Sequence, residues 1–309
     1  MKHFINLKDI PAKDLRKILI DAKKRKNARK NLDNLEVDKG TPLKGKLLIQ
    51  MFEKSSLRTR LSFYLAIKQL GGSALTLRPD ELHLSKGGES IEDTAKILSN
   101  FGNAFMLRTD KDEKLSEFKK YLSIPIINGL SPSSHATQIL SDVFTVEEIK
   151  KKSISKLNIC WIGDSNNVLN SLIAASIKFS FKLNIGCPKK YQPNNNILNY
   201  IKNNRNKIFL YNDAIKAVTG ADVVFSDKVI SMNDRVNKTK KLNHFKKFKI
   251  DKKLMNFAKK DCIFLHCLPR GKEVDEKVFA SKQSKVWQQA LNRVHVQKSI
   301  LLYCFGKLR

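Results

Sequence analysis

Cysteine is scarce in this sequence of 309 residues, and its five copies are dispersed. Their number is odd and none is spaced from another as Cys-x-x-Cys, which argues against a disulfide framework or a structural zinc site and favours a reducing compartment. Long apolar segments are also missing: no run approaches the roughly 18 residues of a membrane span. The first residues, MKHFINLKDIPAKDLRK, lack the apolar centre of a signal peptide. We therefore expect a soluble cytoplasmic protein without a membrane partner.

Acidic residues are few: 29 Asp and Glu stand against 59 Lys and Arg, which gives a formal net charge of +30. So basic a chain is a candidate for nucleic-acid binding. Yet the lysines are spread over the whole chain, and no RNP-like aromatic motif, helix-turn-helix, zinc-finger spacing or basic tail is present. Nucleic acid is therefore not expected as a required partner, whereas small anions are expected to be attracted at low salt.

Apolar, β-branched runs alternate with helical patterns along the chain, as is typical of α/β units with parallel strands. The predicted strands cover 46–52, 73–77, 104–108, 124–128, 157–163, 181–187, 207–212, 221–226 and 262–268. The predicted helices cover 57–70, 90–101, 112–121, 135–150 and 287–305, and others begin near Asn167, Asn195, Asp213 and Asp251. The pattern predicts an α/β fold with two doubly wound parallel-sheet domains, joined through the helix that ends near 150–152. Ligands of such sheets bind beyond the carboxyl ends of the strands.

The stretch FEKSSLRTRLSF, residues 52–63, places two arginines in the first turn of a predicted helix. The two serines before the helix are N-cap candidates. The N–H groups of a helix start favour anions and disfavour cations by roughly 0.3–1 kcal/mol each. Arg58 and Arg60 therefore indicate a bound anion, and with the hydroxyls of the turn they predict a phosphate cradle. The alternative is that both arginines lie in solvent or pair with Glu53.

Polar residues also follow the next strands of the first half. Arg108 closes the apolar strand AFMLR, and His135 and Gln138 lie one helical turn apart on one face of the following helix. Together with the cradle, these three side chains supply donors suited to a carbonyl oxygen and its neighbouring amide. Taken singly, a strand-end arginine is more often a surface charge, and a histidine at a helix start is more often a cap.

The strands of the second half end in a different set of residues. GDSNNVLNSL, residues 163–172, lies where a dinucleotide-binding protein would carry GxGxxG, and its single glycine argues against a dinucleotide. The Asn- and Asp-rich loop suits an amino acid or amide. Asp227, Ser231 and Met232 of SDKVISM and Cys267 of HCLP add an acid and a thiol, which suit an amine substrate. In the alternative, Met232 is a core residue and Cys267 an inert buried thiol.

These motifs resemble those of the ornithine carbamoyltransferases. FEKSSLRTR resembles their FEKxSTRTR, SHATQ (134–138) their HPxQ, GDSNNVLNS their GDxxNN, DKVISM their DxWxSMG and LNRVH (291–295) their ENRxH, and HCLP is their cysteine motif. The resemblance covers about residues 1–309 in the family's order. It implies a carbamoyl-phosphate-binding domain over 1–149, an ornithine-binding domain over 150–286 and a C-terminal helix over 287–309 that crosses back to the first domain. It also implies a homotrimer or an assembly of trimers.

The resemblance further implies the reaction and its residues. The carbamoyl group of carbamoyl phosphate is expected to pass to the δ-amine of L-ornithine, giving L-citrulline and phosphate in arginine biosynthesis, with no cofactor, metal or covalent enzyme intermediate. The implied catalytic residues are Arg108, His135, Asp227 and Cys267. The implied carbamoyl phosphate site comprises Ser56, Leu57, Arg58, Thr59, His83, Arg108, His135, Gln138, Cys267, Leu268 and Arg293. The implied ornithine site comprises Asn167, Asp227, Ser231 and Met232. A loop of a neighbouring subunit, about 83–89, is expected to reach the phosphate.

The sequence departs from the family pattern at several positions. Leu57 replaces a threonine, Ala136 a proline and Asn233 a glycine, while LSKGGES is one residue longer than the family's loop and the segment after HCLP is shorter. Putrescine, an acylated ornithine and aspartate are therefore alternative amines. Aspartate is disfavoured because its site needs extra cations, and putrescine because Ser231 and Met232 suit an α-amino acid. An alternative of another class is a catalytically silent relative that binds nucleic acid.

Overall fold

The computed structural model describes residues 1–78, 88–204, 207–230 and 237–308. The chain divides into two compact units, the first formed by Met1–Ser141 and Leu291–Arg309 and the second by Asp142–Ala290. Each unit is built on a parallel sheet with helices on both sides, which is the predicted fold class. In the described part of the chain, no helix has the length and apolar character needed to cross a bilayer. The domain limits predicted after residues 149 and 286 lie near these unit limits, and the binding roles attached to the domains stay predictions.

The first unit holds a four-stranded sheet in the order β2-β1-β3-β4. Its strands are β1 (Leu47–Phe52), β2 (Ser73–Leu77), β3 (Ala104–Arg108) and β4 (Ile126–Leu130). Its helices are α1 (Ala12–Ala28), α2 (Leu57–Gln69), α3 (Ile91–Phe101), α4 (Asp112–Tyr121), the start of α5 (Ala136–Lys150) and most of the C-terminal helix α12 (Val286–Cys304). A short 3-10 helix at Leu7–Asp9 precedes α1.

The chain changes its winding direction between β1 and β3. It places β2 on one side of β1 and then returns to place β3 on the other side. Phe52 and Arg108 are register partners at the carboxyl ends of the two strands, and the Glu53 N–H donates to the Arg108 carbonyl oxygen at 2.9 Å. This is a topological switch point, the place where parallel α/β sheets bind ligands.

Alternate residues of the strands form the core of the first unit. Ile49 and Met51 of β1, together with Phe105 and Leu107 of β3, lie on one face of the sheet and pack with buried residues of α3 and α4. The rings of Phe105 and Phe118 are 5.1 Å apart between centroids and tilted by 53°. Since the period-two alternation sends the neighbouring residues to the other face, both sides of the sheet are covered.

The second unit holds a five-stranded parallel sheet in the order β7-β6-β5-β8-β9. Its strands are β5 (Asn158–Ile162), β6 (Lys182–Gly186), β7 (Ile208–Tyr211), β8 (Val223–Ser226) and β9 (Ile263–His266). Its helices, besides the end of α5, are α6 (Asn167–Phe179), α7 (Asn195–Asn203), α8 (Ala214–Val218), α9 (Lys238–Phe245), α10 (Lys252–Met255) and α11 (Glu276–Phe279), with 3-10 turns at Ile154–Lys156, Lys189–Tyr191 and Lys246–Phe248.

The switch point of this second sheet lies between β5 and β8. Trp161 and Phe225 are register partners there, and the Ser226 hydroxyl donates to the Ile162 carbonyl oxygen at 2.7 Å. The loops that follow these two strands begin at Gly163 and Asp227. Both loops are candidate binding segments predicted from the sequence, and they leave the sheet at adjacent strand ends.

Each predicted strand is present, with small shifts of its bounds. The largest shift concerns β4, which begins at Ile126 where 124 was predicted. Pro125 has no N–H for the ladder, and a register irregularity between Leu107 and Arg108 extends the pairing as far as Leu130. The helices α1, α9 and α11 are not among those predicted from the sequence.

Candidate active site

The start of α2 has the geometry of an anion-binding helix terminus. Ser56 is its N-cap, in extended conformation, and its side-chain oxygen accepts from the Thr59 N–H at 3.3 Å. The cap satisfies one of the N–H groups that every helix start leaves outside the helical bonding pattern. Leu57 is the first helical residue, and its side chain is 71% exposed. The departure from threonine at this position therefore places an apolar side chain at the surface, while the residue's N–H stays at the helix start.

The two arginines of the turn have different surroundings. Arg60 is exposed, and its guanidinium lies 5.3 Å from the centroid of the Phe52 ring. Arg58 is partly buried, and its charge lowers the pKa of Arg108. Residues two apart on a helix do not share a face. Arg58 is therefore the arginine of this turn that faces the other cations, whereas the sequence reasoning assigned both arginines to the cradle.

Glu53 holds the two strand ends together. One oxygen of its carboxylate accepts from the Thr109 hydroxyl at 2.6 Å and from the Asp110 N–H at 3.3 Å, and the other is bonded to the Lys114 ammonium. These contacts join the loop after β1 to the loop after β3. They fix the backbone immediately after Arg108, the last residue of β3.

Arg108 lies partly buried beside a second positive charge. Burial, and then the charge of Arg58, lowers the pKa of Arg108 to about 10. Its Nε is buried and has no hydrogen-bond partner within the described residues. A buried guanidinium nitrogen without a partner is costly for the free protein. This atom is thus a donor ready for a ligand.

His135 lies immediately before α5, where its burial and the charges near it keep it neutral. Burial, and then the charges of Arg293, Arg108 and Arg58, lowers the pKa of His135 well below 6.5. A neutral imidazole has one N–H donor and one acceptor nitrogen. Gln138 lies one turn further along and is also buried. A neutral histidine among three guanidiniums is suited to donate a hydrogen bond to an oxygen that gains negative charge.

Arg293 comes from the C-terminal helix and belongs to the same unit. Its Nη2 donates to the Thr59 hydroxyl oxygen at 2.8 Å, and both side chains are buried. Since the Thr59 oxygen accepts from Arg293, its own hydrogen is left to donate elsewhere. The structure thus brings together, inside the first unit, the predicted residues Ser56, Thr59, Arg58, Arg108, His135, Gln138 and Arg293.

The second unit places Asp227 beside the loop that follows β5. Asn166 Nδ2 donates to Asp227 Oδ2 at 2.9 Å, and Asn166 Oδ1 accepts from the backbone N–H groups of Val168 and Leu169 in the first turn of α6. Burial raises the pKa of Asp227, and the His266 side chain, a backbone N–H and Asn166 oppose this only in part. Asn167, the residue predicted for this site, is the first residue of α6. The sequence reasoning missed Asn166, although an Asn directly before an apolar helix is an N-cap signal.

The HCLP segment is organised by the ring of His266. Its Nδ1 accepts from the Leu268 N–H at 2.9 Å, so the hydrogen is on Nε2, which lies 3.1 Å from Glu273 Oε1. Burial by itself would raise the pKa of Glu273, but hydrogen bonds from His266 and from the Gly271 N–H lower it. Cys267 is buried between these anchors, and Leu268 has a φ of 57°. A non-glycine residue in the left-handed region is typical of functional loops.

A buried glutamine supports the same strand end. Gln289 Oε1 accepts from the His266 N–H at 2.9 Å, and its Nε2 donates to Asp142 Oδ1 at 2.9 Å. The backbone at His266 and the ring of His266 are therefore both fixed before Cys267. Gln289 and Glu273 are not predicted from the sequence, since neither stands in a motif that indicates a site.

Three predicted site residues, His83, Ser231 and Met232, lie outside the described residues. All five cysteines are buried and free of disulfides. Across residues 1–78, 88–204, 207–230 and 237–308, no group of three or more His, Cys, Asp and Glu side chains is arranged to hold a metal ion.

Two family models match the chain. The carbamoyl-P binding domain of aspartate/ornithine carbamoyltransferases matches residues 2–148, and the Asp/Orn binding domain of the same enzymes matches residues 155–304. The first range contains the cations at the start of α2 and the second contains the Asp227 and Cys267 segments. Arg293 of the first group lies in the second matched range, since the C-terminal helix that carries it returns to the first unit.

Full-length relatives agree with these matches. A protein named ornithine carbamoyltransferase from Agrobacterium fabrum is 41% identical over 310 residues, covering 99% of this chain and 98% of its own. The crystal structure of an anabolic ornithine carbamoyltransferase from Campylobacter jejuni superposes with a TM-score of 0.89 at 36% identity, covering 99% of this chain and all of its own. An ornithine carbamoyltransferase from Pyrococcus furiosus gives a TM-score of 0.90 at 36% identity and covers 97% of this chain and 96% of its own. The chain belongs to the aspartate/ornithine carbamoyltransferase family.

Proposed function

We propose that this enzyme transfers the carbamoyl group of carbamoyl phosphate to the δ-amine of L-ornithine, giving L-citrulline and phosphate. The observation that carries the proposal is the cluster of Arg58, Arg108 and Arg293 around a neutral His135 at a helix start. Such a cluster suits a ligand that has both a multiply charged phosphate and a neutral carbonyl.

The start of α2 supplies the phosphate contacts in this proposal. Backbone N–H groups, the Thr59 hydroxyl and the Arg58 guanidinium are all donors, and phosphate oxygens are acceptors only. The mutual repulsion of the arginines falls when a dianion binds among them, since each unlike-charge contact offsets a like-charge one. Binding of the phosphate and stabilisation of the departing phosphate then use the same contacts.

Carbonyl activation is assigned to His135 and Arg108. When the neutral δ-amine attacks the carbonyl carbon, negative charge develops on the carbonyl oxygen of a tetrahedral intermediate. Donors that are already in place at that oxygen stabilise it without reorganisation. Because the pKa of His135 is held well below 6.5, we assign this histidine the role of a hydrogen-bond donor. Gln138 is assigned to the carbamoyl amide.

The amine side of the reaction is assigned to Asp227 and Cys267. Ornithine arrives with a protonated δ-amine, so the site must bind the cation and favour its deprotonation before attack. A buried carboxylate whose pKa is raised can accept such a proton. Asn167, Ser231 and Met232 are assigned to the α-amino and carboxylate groups, and the Leu268 carbonyl oxygen to the δ-amine.

A substrate panel tests the proposed reaction. The purified protein is incubated with carbamoyl phosphate and, separately, with ornithine, acetylornithine, putrescine or aspartate, and the carbamoylated product is measured. Citrulline is expected, with little product from the other three amines. Preferential carbamoylation of another amine would contradict the choice of ornithine while leaving the transfer reaction in place.

Two arginine variants test the phosphate contacts. Arg58→Ala is expected to raise the carbamoyl phosphate concentration at half-maximal rate at least ~10-fold, since a hydrogen bond to a charged group is worth about 1.5–3 kcal/mol. Arg60→Ala removes the exposed arginine of the same turn and is expected to change that concentration less than about twofold, as is usual for exposed charges. Equal losses in the two variants would contradict the assignment to Arg58.

A homotrimer, or an assembly of trimers, is part of the proposal. Leu57, Leu61 and Tyr64 follow one another at helical spacing along α2 and are all exposed, and Ile97 and Phe101 repeat this pattern on α3. Exposed apolar stripes of this kind mark protein contact surfaces. Light scattering of the purified protein gives the mass directly, and Phe101→Glu is expected to lower it. His83 is the residue proposed to be donated by a neighbouring copy.

Arginine biosynthesis in the cytoplasm is the proposed setting. The Campylobacter jejuni neighbour is described as an anabolic enzyme, which supports a synthetic direction. Expression of the chain in bacteria that lack this step is expected to restore growth without arginine when ornithine can be made.

A further inference from the structure

A buried lysine lies behind the loop that follows β5. Lys241 of α9 is 4% exposed, and its Nζ is 2.5 Å from Asp164 Oδ2. Most lysines of the described residues lie at the surface, and Lys298 is the other one that is buried. A lysine is rarely buried unless it is paired, because removing its charge from water is costly. The ion pair with Asp164 is what makes this position possible.

The packing around the pair is specific. The Lys241 Nζ lies 5.6 Å from the centroid of the Tyr191 ring, and the Tyr191 carbonyl oxygen accepts from the Ser165 N–H at 3.2 Å and from the Cys187 thiol at 2.9 Å. Burial and the Asp164 carboxylate raise the pKa of Cys187 to about 12, so this thiol stays protonated beside the pair. Lys241 is therefore enclosed by groups that fix its position.

Asp164 connects this lysine to the proposed amine site. It is the second residue of the 163–167 loop, and its own carbonyl oxygen accepts from the Trp161 indole N–H at 3.2 Å. Two residues further along, Asn166 caps α6 and donates to Asp227 at 2.9 Å. A displacement of Asp164 would thus move Asn166 and, through the hydrogen bond of Asn166, the Asp227 carboxylate.

The energetics favour a positioning role over a purely stabilising one. A buried ion pair gives little net stability, because the cost of desolvating both charges offsets most of their attraction. Its geometric effect is larger, since two fixed charges with short contacts permit one arrangement of the loop.

From these contacts we infer that Lys241 is a positioning residue for the amine substrate: through Asp164 it holds the 163–167 loop so that Asn166 keeps the Asp227 carboxylate in place. The inference rests on the proposed ornithine activity. Lys241 itself touches no reacting atom in this scheme. Its loss is expected to weaken ornithine binding and to leave carbamoyl phosphate binding as it is.

The test compares Lys241→Met with a control lysine of the same unit, which is half-buried and also ion-paired. Lys259 pairs with Asp222 at 2.8 Å, and Asp222 precedes β8, at the opposite end of the strand from Asp227. Lys259→Met therefore removes a lysine from an ion pair without touching the 163–167 loop. In steady-state assays of citrulline formation, Lys241→Met is expected to raise the ornithine KM at least tenfold and to change the carbamoyl phosphate KM less than twofold. Lys259→Met is expected to change neither.

Further variants separate positioning from loss of folding. Lys241→Arg retains a charge and is expected to restore most of the ornithine affinity. Asp164→Asn is the milder partner variant and is used if Lys241→Met does not fold. Because both partners act through one contact, the double variant is expected to be no worse than the more impaired single variant.

Amide hydrogen exchange at residues 164–167 gives a readout that does not depend on which amine is the substrate. Faster exchange there in Lys241→Met, and not in Lys259→Met, is expected. A wild-type ornithine KM in a folded Lys241→Met protein, or an equal loss for both substrates, would overturn the inference. Absence of citrulline with the wild-type protein would instead overturn the proposed function, while the exchange result would still decide whether Lys241 holds the loop.

Discussion

The hydroxyl of Thr59 offers a sharp test of the proposed phosphate cradle, because a nearly isosteric substitution removes it. Thr59→Val keeps the size and branching of a fully buried side chain and replaces the hydroxyl with a methyl group. In the wild-type protein the Thr59 oxygen accepts from Arg293 Nη2 at 2.8 Å. Its hydrogen is then left to donate to a phosphate oxygen. The substitution thus removes a donor to the dianion and an acceptor that orients Arg293.

The size of the expected effect of Thr59→Val follows from the charge of the phosphate to which the hydroxyl would donate. A hydrogen bond to a charged group contributes about 1.5–3 kcal/mol, and every 1.4 kcal/mol is about tenfold in binding. Thr59→Val is therefore expected to raise the carbamoyl phosphate KM between ~10-fold and ~140-fold. The ornithine KM is expected to stay within about twofold of the wild type, since ornithine is assigned to the other unit. The carbamoyl phosphate KM is measured from initial rates of citrulline formation at varied concentrations of carbamoyl phosphate.

Thr137→Val is the matched control for this substitution. Thr137 is also fully buried in the first unit, and its hydroxyl has no hydrogen-bond partner among the residues that the structure describes. Removing such a hydroxyl is expected to be neutral or stabilising. A carbamoyl phosphate KM within twofold of the wild type in Thr59→Val would refute the reasoning, as would the same increase in Thr137→Val.

Three further predictions concern titration and stability. Burial raises the pKa of Asp227 above its ordinary value of 3.8, so the stability it contributes is fully present below pH 3.8 and is lost as the pH rises. Asp227→Asn is thus expected to increase the free energy of unfolding in urea at pH 7 and to leave it unchanged at pH 3. The same substitution is expected to raise the ornithine KM. A variant that is less stable than the wild type at pH 7 would contradict this prediction. The pKa of His135 lies well below 6.5, so its imidazole is expected to stay neutral at pH 6 in nitrogen NMR spectra, and an imidazolium signal there would contradict the structure. Asp38→Asn removes the buried carboxylate that accepts from Arg29 at 2.7 Å and from Lys298 at 3.0 Å. It is expected to lower the free energy of unfolding in urea by about 3–5 kcal/mol. The control Asp261→Asn changes an exposed partner of Lys150 and is expected to lower that free energy by less than about 1 kcal/mol.

Much of the fold and part of the candidate site could be predicted because their signals are local. The period-two and helical patterns place the strands, and Ser56 before an uninterrupted helical run identifies the start of α2. Arg108 could be selected because a charge at the end of an apolar strand is unusual. The rule that ligands bind at strand ends then joins Arg108 to the α2 start, and the register of Phe52 with Arg108 bears out that placement.

Contacts between distant segments could not be predicted in the same way. Asn166 and Asn167 are adjacent identical residues, and although the N-cap signal was local, only the fold shows that Asn166 reaches Asp227. His266 and Glu273 pair across a turn in which Leu268 adopts a positive φ, a conformation that the sequence gives no reason to expect. Both contacts depend on where the chain turns, and a pattern of apolar residues does not contain that information.

The charged residues show most clearly that the sequence does not predict contacts between distant segments. Lys241 stands in the run TKKLNHFKKFK, where no local feature separates it from its lysine neighbours, yet it is buried because Asp164 lies beside it in the fold. His135 is kept neutral by its burial and then by arginines from three separate elements, α2, β3 and α12, which together lower its pKa. The net charge of +30 predicts neither result, because exposed charges are screened within about 10 Å at ordinary ionic strength, whereas buried charges are screened much less. What decides the chemistry of this protein is therefore which few cations are buried together, and that is a property of the topology that brings their elements to one strand end.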